Sequence, residues 1–168
     1  TWGREDYGLV TLHRPANVDD PAVLSGLLDA LEQIQRDLPI VFPAHPRTRK
    51  SIEAFGLAER VASMGDLRCI DPIGYLDFLK LTASTKLVLT DSGGIQEETT
   101  ILQVPCLTLR ENTERPITAE VGSNRIVGTD GEAILAAYRQ AVSGADRAPQ
   151  IPELWDGQAA GRIARILV

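Results

Sequence analysis

Basic residues are in short supply: 17 Lys and Arg stand against 23 Asp and Glu, a formal net charge of -6. A surface of that sign repels polyanions and lacks the basic face that DNA or RNA binding requires, so nucleic acid is excluded as a partner while a single nucleotide is not. Cysteine is scarcer still. Cys69 and Cys106 are far apart, sit in apolar runs and form no C-x-x-C or Cys/His cluster, which argues against a metal site and marks both as inert core thiols. No apolar stretch reaches the roughly 20 residues that cross a bilayer, and no basic-then-apolar start resembles a secretion signal. No membrane partner is therefore expected, and the reading is of a cytoplasmic protein. Methionine is missing from position 1: the opening Thr1-Trp2-Gly3-Arg4-Glu5 fits an excised fragment as well as a natural start.

The 168 residues, 43% hydrophobic and 24% charged, have the balance of a soluble globular protein, and the length fits one domain over 1–168. Short runs rich in Val, Ile and Leu at 8–12, 40–42, 67–70, 86–89, 106–109 and 125–127 read as strands. They alternate with stretches of helical period, which is the sequence form of a parallel α/β sheet covered on both faces. Asp20 is placed to cap a helix that begins with Pro21 and carries Val23, Leu24, Leu27, Leu28, Leu31 and Ile34 on one stripe. Further helices are expected at 49–55, 75–83, 95–102, 132–142 and 158–167, with 143–152 as a connector.

Ligands of open α/β sheets gather beyond the carboxyl ends of the strands, so the residues that follow each strand carry the functional reading. After the run at 86–89 comes Thr90-Asp91-Ser92-Gly93-Gly94-Ile95-Gln96-Glu97-Glu98: a strand, a turn of small residues and a helix start. Adjacent glycines let a phosphate approach the backbone, and the free N–H groups of a first helical turn point at it with a favourable dipole. The purely structural alternative is a tight turn in which Asp91 or Ser92 caps the helix. Glu98 favours a nucleotide. It lies four residues after Gly94, about 6 Å along the same helix face, where a carboxylate next to a phosphate needs hydroxyl donors such as those of a ribose. Glu97 beside it reads as a solvated helix carboxylate. His13 and His45, the only histidines, each follow a strand, and each is placed either to contact phosphate or shuttle a proton, or to cap the segment that follows. Arg115, in Arg110-Glu111-Asn112-Thr113-Glu114-Arg115-Pro116, is placed to brace a diphosphate, with a surface loop of paired charges as the alternative.

Taken together, Leu12-His13-Arg14, the 90–98 segment, Thr113-Glu114-Arg115-Pro116 and Asp156-Gly157-Gln158-Ala159-Ala160-Gly161-Arg162-Ile163 closely resemble the C-terminal domain of the non-hydrolysing UDP-N-acetylglucosamine 2-epimerases. The resemblance implies a Rossmann-like, doubly wound parallel sheet like the C-terminal half of a GT-B fold, as in UDP-glycosyltransferases and glycogen phosphorylase. It implies an enzyme that interconverts UDP-GlcNAc and UDP-ManNAc by eliminating UDP and adding it back, in the service of cell-envelope polysaccharide biosynthesis. No metal or redox cofactor is implied; the UDP-sugar is the substrate ligand. Carried over, Ser92, Gly93 and Gly94 would hold the diphosphate and Glu98 the ribose. Arg115 and His13 would line the phosphate side, His13 being the one candidate catalytic residue, and Phe78 would fall in the uracil pocket. The family's acid/base carboxylates lie in an N-terminal domain that this chain does not contain, and a homodimer is one assembly open to the full-length enzyme.

One departure stands out: Pro15-Ala16 precede Asn17 where the family often has Glu-Asn after its His-Arg pair, which removes a carboxylate near the cleft. Three competing readings share the nucleotide site. They are the donor half of a UDP-sugar glycosyltransferase, a hydrolysing UDP-GlcNAc 2-epimerase, and a non-catalytic nucleotide-binding module. The T-E-R-P loop and the D-G-Q-A-A-G-R-I terminus argue against the first.

Overall fold

The computed structural model describes residues 6–144 and 148–167; the opening 1–5, part of the 143–152 connector (145–147) and residue 168 lie outside the described residues. Strands and helices alternate from the start. In chain order they are β1 (Gly8–Thr11), α1 (Pro15–Val18), α2 (Pro21–Ile34), β2 (Ile40–Pro43), α3 (Pro46–Ala54), α4 (Ala58–Ser63), β3 (Leu67–Ile70) and α5 (Tyr75–Ser84). There follow β4 (Leu87–Thr90), α6 (Gly93–Leu102), β5 (Cys106–Thr108), α7 (Pro116–Glu120), β6 (Asn124–Ile126), α8 (Gly131–Val142) and α9 (Ala159–Leu167).

The strands form one parallel sheet in the order β3-β2-β1-β4-β5-β6. Successive residues of a strand point to opposite faces, and the two faces carry separate cores. Val10, Phe42 and Leu89 bury against Leu24, Leu28 and Leu31 of α2 and Ile134 of α8, while Leu9, Val41 and Val88 face Phe78 and Leu81 of α5 and Ile95 and Leu102 of α6. The sheet is therefore doubly wound, as the alternation of elements predicts. Its order of strands reverses between β1 and β4, and that is where such sheets open a crevice for a ligand.

Local signals explain the elements that place this crevice. Asp20 accepts hydrogen bonds from the Ala22 and Val23 N–H groups at 2.8 and 3.1 Å, and Pro21 fills the first turn of α2, as expected. Three short helices were not expected: α1, α4 and α7 have four, six and five residues, too few to show a period of 3.6. α3 also starts three residues ahead of its expected 49, because the His45 ring caps it. Both thiols are free; burial pushes Cys106 up to about 12 and raises Cys69, which is half-buried. Among the described residues no helix is long and apolar enough to cross a membrane.

The turn between α7 and β6 presses against α6. A methyl group at Gly122 would lie 2.5 Å from Thr100 Oγ1 on α6 and 2.7 Å from the Thr118 carbonyl, closer than packed atoms tolerate. Gly122→Ala should therefore destabilise the domain by about 1 to 3 kcal/mol, read from urea unfolding midpoints at an unchanged slope.

Candidate functional site

The crevice between β1 and β4 is organised by Asp91, whose side chain is fully buried. Its carboxylate accepts from the His13 N–H at 3.0 and 3.2 Å, the Arg14 N–H at 2.9 Å and Asn17 Nδ2 at 3.2 Å, and it meets His13 Nδ1 at 2.8 Å. Neither Asp91 nor Ser92 caps α6, contrary to the structural alternative the turn offers: Ser92 sits at the cap position without a side-chain bond to the first turn. Thr90 shapes the turn instead, its hydroxyl lying 2.7 Å from Thr11 Oγ1 and accepting from the Ser92 N–H at 3.0 Å. Asn17 also donates to the Leu109 carbonyl at 2.9 Å, so the Pro15-Ala16 departure leaves the docking of this loop intact.

A cavity of about 180 Å³ opens at these strand ends, lined by Thr11, His13, His45, Phe78, Ser92 and Ile95 among others. It brings together four of the expected site residues. The two imidazoles stand 6.0 Å apart between centroids and tilted by 51°. They are held differently. His13 turns Nδ1 to Asp91, whereas His45 uses Nδ1 to accept from the Arg47 N–H at 3.2 Å, which is the capping role weighed for it.

The glycines of the turn are not required by packing inside the chain. A methyl group at Gly94 would meet nothing within 4 Å, and one at Gly93 would meet only Glu114 Oε2, at 3.6 Å. The space above the first turn of α6 is thus open except for the Glu114 carboxylate. Arg110 grips that carboxylate with two hydrogen bonds of 2.7 and 2.8 Å, Arg14 lies 3.7 Å away, and the hydrogen bonds from Arg110 hold Glu114 down at about 2. The Arg115 guanidinium pairs at 2.8 Å with Glu97, so that this half-exposed carboxylate is held by a cation as well as by solvent. Glu98 behaves differently from its neighbour. Its Oε2 is buried without a hydrogen-bond partner, and burial raises its pKa against the opposing hydroxyl of Tyr75, with Glu97 adding to the rise.

A polar network unseen in the sequence joins the T-E-R-P loop to α6. Gln96 is fully buried, and its Oε1 accepts from Thr113 Oγ1 at 2.5 Å and Asn124 Nδ2 at 3.2 Å; Asn124 in turn accepts from Thr108 Oγ1 at 2.6 Å. Thr113 Oγ1 also takes the Arg115 N–H at 2.9 Å, which fixes where the loop turns. A signal was available: a glutamine on the inward side of a helix is costly to bury unless it is bonded. Among the described residues no group of three or more His, Cys, Asp or Glu side chains is arranged to hold a metal ion.

This geometry has close counterparts. The whole chain, residues 1–168, matches the profile of the family described as UDP-N-acetylglucosamine 2-epimerase. The chain belongs to that family. It is 47% identical over 135 residues to the UDP-N-acetylglucosamine 2-epimerase of Methanocaldococcus jannaschii, covering 79% of this chain and 37% of that protein. It is 39% identical over 166 residues to the UDP-2,3-diacetamido-2,3-dideoxy-D-glucuronate 2-epimerase of Pseudomonas aeruginosa, covering 98% and 45%. The crystal structure of the M. jannaschii UDP-GlcNAc 2-epimerase in complex with UDP-GlcNAc and UDP superposes with a TM-score of 0.89 at 42% identity, over 97% of this chain and 45% of that one. The chain thus spans less than half the length of these family members.

The raised pKa of Glu98 has a consequence for stability. An acid whose folded pKa lies above its unfolded value costs nothing below the usual carboxylate range; its cost builds as pH rises from the unfolded value to the folded one and is complete above it. Glu98→Gln keeps the shape and removes the charge, so its Tm at neutral pH should equal or exceed that of the wild type, with the difference vanishing in acid. Scanning calorimetry at the two pH values measures this.

Proposed function

We propose that this chain is the C-terminal, UDP-holding half of an enzyme that interconverts UDP-GlcNAc and UDP-ManNAc by elimination and re-addition of UDP. The observation that carries the reading is the unpartnered Glu98 Oε2, set one turn along α6 from the open Gly93-Gly94 turn. A carboxylate there needs donors, and the ribose hydroxyls of a nucleotide whose diphosphate sits on the first turn supply them. The family relation supports the choice of UDP, since the M. jannaschii structure holds UDP-GlcNAc and UDP.

In this reading Ser92, Gly93 and Gly94 cradle the diphosphate with their backbone. His13 faces it through Nε2, Arg115 braces it, and Phe78 offers its ring to the uracil. His45 lines the sugar-facing rim. In the elimination the proton leaves C2, the C1–O bond breaks with its electron pair going to UDP, and re-addition reverses both events on the other face. What this half contributes is stabilisation of the charge that grows on UDP, by a helix N-terminus and cations placed in advance. The acid/base carboxylates belong to an N-terminal domain outside this chain, and a homodimer of the longer enzyme fits the reading. Two free thiols support a cytoplasmic setting.

The P. aeruginosa relative keeps the nucleotide and changes the sugar, which supports a division of labour in which this half reads UDP. Titration of the chain with UDP, followed by NMR or calorimetry, tests the reading against UMP, uridine and ADP. UDP should bind best and shift the Gly93 and Gly94 amides, and Glu98→Gln should lose about 1 to 3 kcal/mol of that affinity, the cost of an unpaired buried hydroxyl. Equal binding of ADP and UDP, or no effect of Glu98→Gln, would overturn it. The chain alone should show no epimerisation of UDP-GlcNAc by product chromatography, and measurable turnover would refute the placement of the acid/base groups elsewhere.

A further inference from the structure

Asp91 is the one acidic side chain with no exposure among the described residues, and its ring partner, His13, is one of the two imidazoles that line the cavity. We infer that Asp91 is a positioning residue that keeps a proton on His13 Nδ1 and so turns Nε2 to the phosphates, which it meets as an N–H donor when the ring carries its second proton. The inference rests on the nucleotide reading above for what Nε2 touches, but the tautomer itself does not.

The argument is one of donors and acceptors. An ionised carboxylate only accepts, so every group against it must donate. Two backbone N–H groups and the Asn17 amide do so, and the fourth neighbour, His13 Nδ1 at 2.8 Å, must therefore carry hydrogen. His45 gives the opposite case within the same chain. Its Nδ1 accepts from the Arg47 N–H, so its proton sits on Nε2. Two imidazoles 6.0 Å apart are thus held in opposite tautomers by what their Nδ1 atoms face. A carboxylate behind Nδ1 also balances the imidazolium form, so that Nε2–H can donate to a phosphate oxygen with the charge neutralised from behind.

A purely structural role is the competitor, because Asp91 also ties the β1–α1 loop to the end of β4. A clamp, however, is complete with the His13, Arg14 and Asn17 N–H groups, and it gives the far nitrogen of the ring, Nε2, nothing to do. Asp91→Asn separates the two roles. Its amide oxygen can serve the position that meets Arg14 and Asn17, which turns its NH₂ toward His13 Nδ1. That donor forces Nδ1 to accept and moves the ring proton to Nε2.

Long-range ¹H–¹⁵N spectra of the chain, at a pH where both rings are neutral, read the tautomers directly, with His45 as the internal reference. Wild type should show His13 protonated on Nδ1 and His45 on Nε2; Asp91→Asn should show both on Nε2. UDP affinity should fall about 10-fold in Asp91→Asn, the scale of a charge-assisted hydrogen bond, while uridine, which has no phosphate, binds both proteins alike. A wild-type His13 protonated on Nε2 overturns the inference, and that spectrum decides it even where the variant does not fold. Equal losses for UDP and uridine reduce Asp91 to a clamp. Failure of UDP to bind the wild type counts against the nucleotide reading alone, since the tautomer is read without ligand.

Discussion

A carboxylate sealed away from water must be surrounded by donors, and Asp91 meets that demand by gathering the β1–α1 loop around itself. The demand fixes more than one loop. Because β1 and β4 are neighbours at the point where the strand order reverses, a residue at the end of β4 that bonds the segment after β1 closes the floor of the crevice. His13, Arg14 and Asn17 are then placed relative to the first turn of α6 by one side chain. Asn17 extends the tie to Leu109, at the end of β5, so three strand ends share the anchor.

A second anchor lies on the other flank. Gln96 and Asn124 join α6, the T-E-R-P loop and β6, so the loop that carries Glu114 and Arg115 is set by buried bonds although both side chains are exposed. Buried polar networks of this kind are specific because any alternative arrangement strands a polar atom. Gln96 keeps one such atom, Nε2, unpartnered, and the others around the crevice are Arg14 Nε and Glu98 Oε2. Of these, Glu98 also lines a cavity with Tyr75, Leu79 and Trp155.

How much of this could be read in the sequence follows from the range of each signal. The strands and the α2 cap were legible because hydrophobic runs and an Asp-Pro start act within a few residues. The site segments were legible because strand ends and a small-residue turn mark the crevice. The short α1, α4 and α7 were not, since helices of four to six residues depend on their surroundings more than on period. The misassigned partners share one feature: they bond across the chain. Asp91 reads locally as a cap but serves a loop 78 residues away, and Glu97 reads as solvated although Arg115 reaches it from another loop. His45 went the other way. Its bond is local, to Arg47, and its capping role was visible.

The crevice is also prepared for an anion by a substitute. Glu114 lies near Gly93, gripped by Arg110 and approached by Arg14, beside the open first turn of α6. In the nucleotide reading proposed above, a diphosphate entering there would be repelled by the carboxylate and attracted by the same two guanidinium groups, so binding would be an exchange in which Glu114 gives up Arg110. Such an exchange lowers affinity without loss of selectivity, since only a ligand that offers the arginines equal or greater charge displaces the carboxylate. In the reaction proposed above, that property would hold UDP firmly while it carries its full negative charge and loosen the hold once the sugar is bonded again. The acidic residue of the loop and the basic residues around it are then parts of one device, and the net negative charge of the chain is no obstacle to a polyanionic ligand at this one place.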